Sequence, residues 1–168
     1  VGADELQRRR THGIEQIAAR GTLLRATSTR QPRTASLTPP ADVDVRIATT
    51  TSTQQVLGDA LAALARVDGV GRRIVTASPD VSVSTNLGGW INRVGVFGPV
   101  ETTQVDDAPR LLRWQPGPTG QHIELGISEM DLFMWLSQFG LTAELFGEPL
   151  VPLGTVYDPF IARGLDAL

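Results

Sequence analysis

The feature that most constrains this 168-residue chain is an alternation of two apolar patterns along its second half and centre. Val56, Leu57, Ala60, Leu61 and Leu64 recur at helical spacing, and Ser52-Thr-Gln-Gln55 before them has the spacing of a capping box. Arg73-Ile-Val-Thr-Ala77 follows as a short strand of the buried type. Gln121-His-Ile-Glu-Leu-Gly-Ile127 reads as a second strand. Ser128 to about Phe146 then reads as a helix with Met130, Leu132, Phe133, Leu136, Phe139, Leu141 and Leu145 on a broad apolar surface, stopped by Gly147. Leu150-Val-Pro-Leu-Gly-Thr-Val156 is the next strand, and a last helix opens near Asp158. Helix, strand, loop, strand, helix, strand, helix is the pattern of an α/β domain with a mostly parallel sheet flanked by helices.

The rest of the chain lacks that order. Asp4 to Arg20 reads as a short polar helix with a thin apolar side (Leu6, Ile14, Ile17), and residues 21–49 are rich in Thr, Ser, Arg and Pro, with Pro39-Pro40 as a breaker. Residues 1–48 are therefore expected to be an N-terminal helix and interdomain linker, and 49–168 the α/β domain. Residues 80–120 read as mostly irregular, with a short strand at Arg93-Val-Gly-Val-Phe97, and a stretch of that length points to a functional loop. The chain opens on Val1 and ends inside an incipient helix, so a fragment of a longer polypeptide is expected.

Composition narrows the chemistry. A net charge of −3 gives no reason to propose nucleic acid as a partner, and no apolar run is long enough to span a bilayer, so a cytoplasmic protein is expected. The chain has no cysteine, which removes disulfides and thiolate metal sites. All fifteen basic residues are arginines, which removes Schiff-base chemistry by this chain. His12 and His122 have no companion motif and read as surface or core residues. Asn86-Leu-Gly-Gly-Trp-Ile-Asn92 matches neither a Walker nor a dinucleotide fingerprint.

In a parallel sheet ligands sit at the carboxyl ends of strands. Three stretches fall there: Asp80 after Ser78-Pro79, Gly126 to Glu129, and Val156 to Phe160. Taken singly each has an ordinary structural reading. Asp80 is a turn residue, Glu129 is a carboxylate that complements a helix dipole, and Tyr157 and Phe160 are core aromatics.

Together they resemble a known pattern. Ile123-Glu-Leu-Gly-Ile-Ser-Glu129 is similar to the Gly-(Ile/Val)-x-Glu motif of the transketolase-like, thiamine-diphosphate-dependent family, in which a strand ends and a Glu opens the next helix. Ile74-Val-Thr-Ala-Ser-Pro-Asp80 resembles that family's preceding strand, and Leu150 to Phe160 the later strand that leads to aromatic contacts with the cofactor. The nearest likeness is to the homodimeric pyruvate dehydrogenase, the decarboxylating component of 2-oxo acid dehydrogenases. Residues 80–120 fit the pattern only loosely.

The resemblance implies a partial thiamine-diphosphate-binding fold, the pyrimidine domain. It implies Glu129 as the catalytic residue, with Asp80, Gly126, Ile127, Glu129, Tyr157 and Phe160 as cofactor-binding. It implies thiamine diphosphate with Mg2+ whose ligands lie outside this chain, a homodimer formed through the cofactor site, and a diphosphate-binding domain in the missing part of the chain or in a partner subunit. An acyltransferase core of a multienzyme complex is a further implied partner. Glu129 would donate a hydrogen bond to the aminopyrimidine and so help deprotonate the thiazolium carbon, a task that needs a protonated carboxyl. A pocket of Leu125, Ile127 and Phe133 would keep it so. Ketol transfer of the transketolase type and a non-catalytic α/β assembly module are the alternatives.

Overall fold

The computed structural model describes residues 3–28, 36–47, 50–99 and 116–167. The polar N-terminal helix is longer than its sequence pattern marks: α1 runs Ala3–Ser28, past Arg20 into the stretch read as linker. Glu5 pairs with both Arg8 and Arg9 along its surface, at 3.2 and 2.8 Å. Such exposed pairs add only tenths of a kcal/mol each (about 0.3–0.5).

The α/β domain begins with α2, Thr53–Leu64, capped by the Ser52 hydroxyl, which accepts from Gln55 N at 3.1 Å. Only half of the expected capping box forms, because the Gln55 side chain reaches forward to Asp59 Oδ1. A 3-10 turn, Gly71–Arg73, leads into β1, Ile74–Ser78. α3, Gly88–Val94, and β2, Val96–Phe97, come next, then β3, Pro116–Gly117, and β4, His122–Glu124. The expected strand at residues 93–97 is thus mostly helix, and only its last two residues pair in the sheet. The residues read as one helix from Ser128 to Phe146 form two, α4 (Glu129–Gly140) and α5 (Thr142–Phe146). Gly147, at φ 74°, ends α5 in the left-handed conformation that glycine adopts without strain. β5, Val151–Gly154, and a 3-10 helix, Asp158–Ala167, follow.

The five strands form one sheet in the order β3-β2-β4-β1-β5, and every neighbouring pair is parallel. This is the α/β class with a parallel sheet that the alternating patterns imply. β1 lies at the centre of the functional half, and its register aligns Ser78 with Glu124 of β4 and Ala77 with Gly154 of β5. The three strands therefore end level with one another.

The two faces of the sheet are covered differently. On one, Ile74, Val151 and Leu153 pack with Leu61 of α2 and with Leu87, Trp90 and Ile91, and Leu37 from the stretch read as linker joins them. On the other, α4 lies against β5 so closely that a Cβ on Gly154 would stand 2.9 Å from Leu132 Cδ1. The α3 segment, Gly88-Gly-Trp-Ile, forms a helix in spite of its two glycines because Trp90 and Ile91 are wholly buried. That burial outweighs a propensity cost of about 1 kcal/mol per glycine.

Candidate functional site

The level ends of β1, β4 and β5 bring the three sequence-marked stretches to one edge of the sheet. After β1, the Ser78 hydroxyl accepts from Val81 N at 3.0 Å and folds the chain back, with Asp80 at φ 62°. A left-handed non-glycine residue is uncommon, and Asp is among the types that tolerate it. The loop is then tied to the exit of β5. The hydroxyls of Thr85 and Thr155 lie 3.0 Å apart, and the Tyr157 hydroxyl donates to Ser84 Oγ. Gln54 of α2 donates to the Ser84 carbonyl from the other side.

After β4, Leu125 N bonds back to Ser78 O and Gly126 takes φ 71°. Ser128 caps α4 by accepting from Asp131 N at 3.3 Å, which makes Glu129 the first residue of the helix. Glu129 is 7% exposed, whereas its neighbour Ile127 is 80% exposed. Here the structure corrects the expected pocket. The chain turns sharply at Gly126, so Ile127 points to solvent, and of the three expected residues only Phe133, one helical turn beyond Glu129, is buried; Leu132 beside it on α4 is buried as well.

The partner of Glu129 comes from the 3-10 helix. Arg163 Nη1 lies 3.5 Å from Glu129 Oε1, and its guanidinium carbon is 4.0 Å from the centroid of the Phe160 ring. Phe160 in turn meets Tyr157, with centroids 6.2 Å apart and planes at 55°. A continuous set of contacts thus runs from Glu129 through Arg163, Phe160 and Tyr157 to Ser84. Four of the sequence-marked features share this edge: Glu129, Tyr157 and Phe160 are joined by contacts, while Asp80 is exposed and connected to them through its loop. Gly126 and Ile127 border the cluster without a side-chain bond to it.

Arg163 and Ser84 carry no sequence signal of their own. Arg163 has one weak sign, its three-residue spacing from Phe160 in a segment of 3-10 geometry, where side chains three apart eclipse. The other unmarked group is buried behind the site. Trp90 Nε1 donates to Thr76 Oγ1 at 2.8 Å, Thr76 Oγ1 lies 2.8 Å from His122 Nδ1, and His122 Nε2 lies 2.9 Å from Glu124 Oε1. His122 is a core residue, and alternation along β4 puts His122 and Glu124 on one face.

The cluster sets a shielded carboxyl and an arginine beside two aromatic rings. No group of three or more His, Cys, Asp or Glu side chains able to hold a metal forms among the described residues. An open groove of about 370 Å3, lined by Asp44–Arg46, by Asp59, Ala62 and Ala63 of α2 and by Arg66 just beyond it, shares no residue with this edge. No helix among the described residues is long and apolar enough to cross a membrane. Comparison with protein-family models, with curated proteins and with solved structures finds no match for this chain.

Proposed function

We propose that this domain is the pyrimidine-binding half of a thiamine-diphosphate enzyme that decarboxylates a 2-oxo acid, of the pyruvate dehydrogenase type. The observation that carries the reading is a shielded carboxyl, Glu129, at the carboxyl edge of a parallel sheet, in the same cluster as the Phe160 and Tyr157 rings. When bound, thiamine diphosphate supplies the carbon nucleophile and the electron sink for loss of carbon dioxide. The residues of this chain bind and orient it. Glu129, held at the helix start by the Ser128 cap, would hold the ring nitrogen of the aminopyrimidine by a hydrogen bond from its protonated carboxyl. Phe160 and Tyr157 offer faces to stack on, and the Asp80 loop, Gly126 and the exposed Ile127 border the same edge.

The diphosphate-binding domain and its Mg2+ ligands belong, on this reading, to another part of the polypeptide or to a partner subunit, with the cofactor between the two halves of a homodimer. The test uses that complete enzyme. Exchange of the thiazolium C2 proton, followed by NMR after quenching, should fall by about 100-fold or more in Glu129→Gln. Unchanged exchange removes Glu129 from the mechanism.

One observation favours a second reading, a non-catalytic α/β module for assembly: the Glu129 carboxylate already has an ion-pair partner in Arg163. Such a module would bind no thiamine diphosphate even with the diphosphate domain supplied, and calorimetric titration of the complete protein separates the two.

A further inference from the structure

We propose that Arg163 is an internal competitor for the Glu129 site, a side chain that makes the contacts due to the ligand and has to swing out before the ligand enters. The inference rests on the thiamine-diphosphate reading and concerns the regulation of that same site.

A guanidinium is a flat N–C–N group with N–H donors along its edge. Here its central carbon lies over the Phe160 ring, 4.0 Å from the centroid, and its Nη1 lies 3.5 Å from Glu129 Oε1. A contact over the Phe160 ring and an N–H aimed at the Glu129 carboxyl are the two interactions proposed above for an aminopyrimidine. The backbone enforces the placement. Gly164 packs so tightly on α4 that a Cβ there would stand 1.7 Å from Phe133 Cδ2. The 3-10 helix is therefore pressed against the helix that carries Glu129, and the residue before Gly164 is brought to the carboxylate one turn away from Phe133.

The occupant is displaceable. The Arg163 side chain is 56% exposed and its bond to Glu129 is long, so leaving for water costs the protein little. Exposure on the arginine side and burial on the carboxylate side also separate this pair from a structural salt bridge, in which both partners are enclosed. A ligand then binds only the fraction of molecules in which Arg163 is out, and its apparent affinity is reduced by that fraction.

The experiment titrates thiamine diphosphate with Mg2+ into the complete enzyme, following tryptophan fluorescence. Wild type is compared with Arg163→Ala, Arg163→Gln and Arg163→Lys. Removing the competitor should tighten the apparent Kd about three- to tenfold in Arg163→Ala, the range set by one exposed ion pair and one cation–π contact. Arg163→Lys keeps the charge without the flat stacking face and should fall between Ala and wild type. Arg163→Gln should also bind more tightly than wild type, and it decides the matter if the Ala variant does not fold. A purely structural ion pair predicts the opposite sign, weaker binding in every variant. Equal or weaker binding by the variants, with normal binding by wild type, overturns Arg163 as competitor and leaves the thiamine-diphosphate reading standing. Absence of binding by wild type overturns that reading, and this inference with it.

Discussion

The Thr76 hydroxyl lies 2.8 Å from His122 Nδ1 and joins the two central strands through their side chains at the point where their backbones are in register. Trp90 Nε1 can only donate, and it donates to that same hydroxyl. With the Thr76 hydrogen directed to His122 Nδ1, a neutral imidazole carries its proton on Nε2, facing Glu124 Oε1 at 2.9 Å. Every polar hydrogen of the group has an acceptor in this tautomer.

Thr76→Val keeps the shape of the side chain and removes the hydroxyl. It leaves the Trp90 indole N–H and His122 Nδ1 without partners inside a core where all three residues are fully buried. Two unsatisfied buried groups should cost about 2–4 kcal/mol. Urea denaturation followed by tryptophan fluorescence measures it, and a loss below about 1 kcal/mol would show that water reaches the group.

Glu129→Leu should leave the domain as stable as wild type or more so, by up to about 1 kcal/mol. A shielded carboxylate with one long ion pair gives little net stability, and Arg163 is exposed enough to be hydrated once released. Stability retained while cofactor binding is lost is the mark of a residue kept for function. A thermal melt more than a few degrees lower in the variant contradicts this and makes Glu129 a structural residue.

Gly164→Ala should destabilise by about 1–3 kcal/mol, because the new methyl meets the Phe133 ring on α4. Phe133→Leu makes room at the same point. The double variant should be less destabilised than the sum of the two single changes, and that coupling is read from a double-mutant cycle.

Ser128→Ala and Ser52→Ala each remove a helix cap and should each cost about 1 kcal/mol in chemical denaturation. Their effects on the site should differ. Only Ser128 precedes Glu129, so only its loss should also weaken thiamine-diphosphate binding; equal binding by the two variants would falsify a role for the cap in setting Glu129.

Much of the framework was legible from periodicity. α2, β1, β4, α4 and β5 all arise where Leu, Ile and Val recur at a helical or strand period, because those patterns are local and each apolar face has to be covered. The misreadings have physical causes. Gly88-Gly89 discouraged a helix that burial of Trp90 and Ile91 enforces. Arg93 to Phe97 looked extended because Val94, Val96 and Phe97 are strand formers, yet Val94 ends the helix and only the last two residues pair. Ile127 sits in an apolar run but is thrown outward by the turn at Gly126.

The sequence by itself determined the α/β alternation and put a carboxylate or an aromatic just beyond the ends of three strands, since those positions follow from short-range pattern and composition. Only the tertiary structure decided which of them meet. The order β4-β1-β5 and its register bring Arg163 to Glu129 across 34 residues of chain, and Tyr157 to Ser84 across 73. Strand order is settled by how all the faces are buried at once, a condition on the whole chain that no local period expresses. The same condition turned Arg163, an unremarked residue in the sequence, into the partner of the carboxylate on which the proposed chemistry depends.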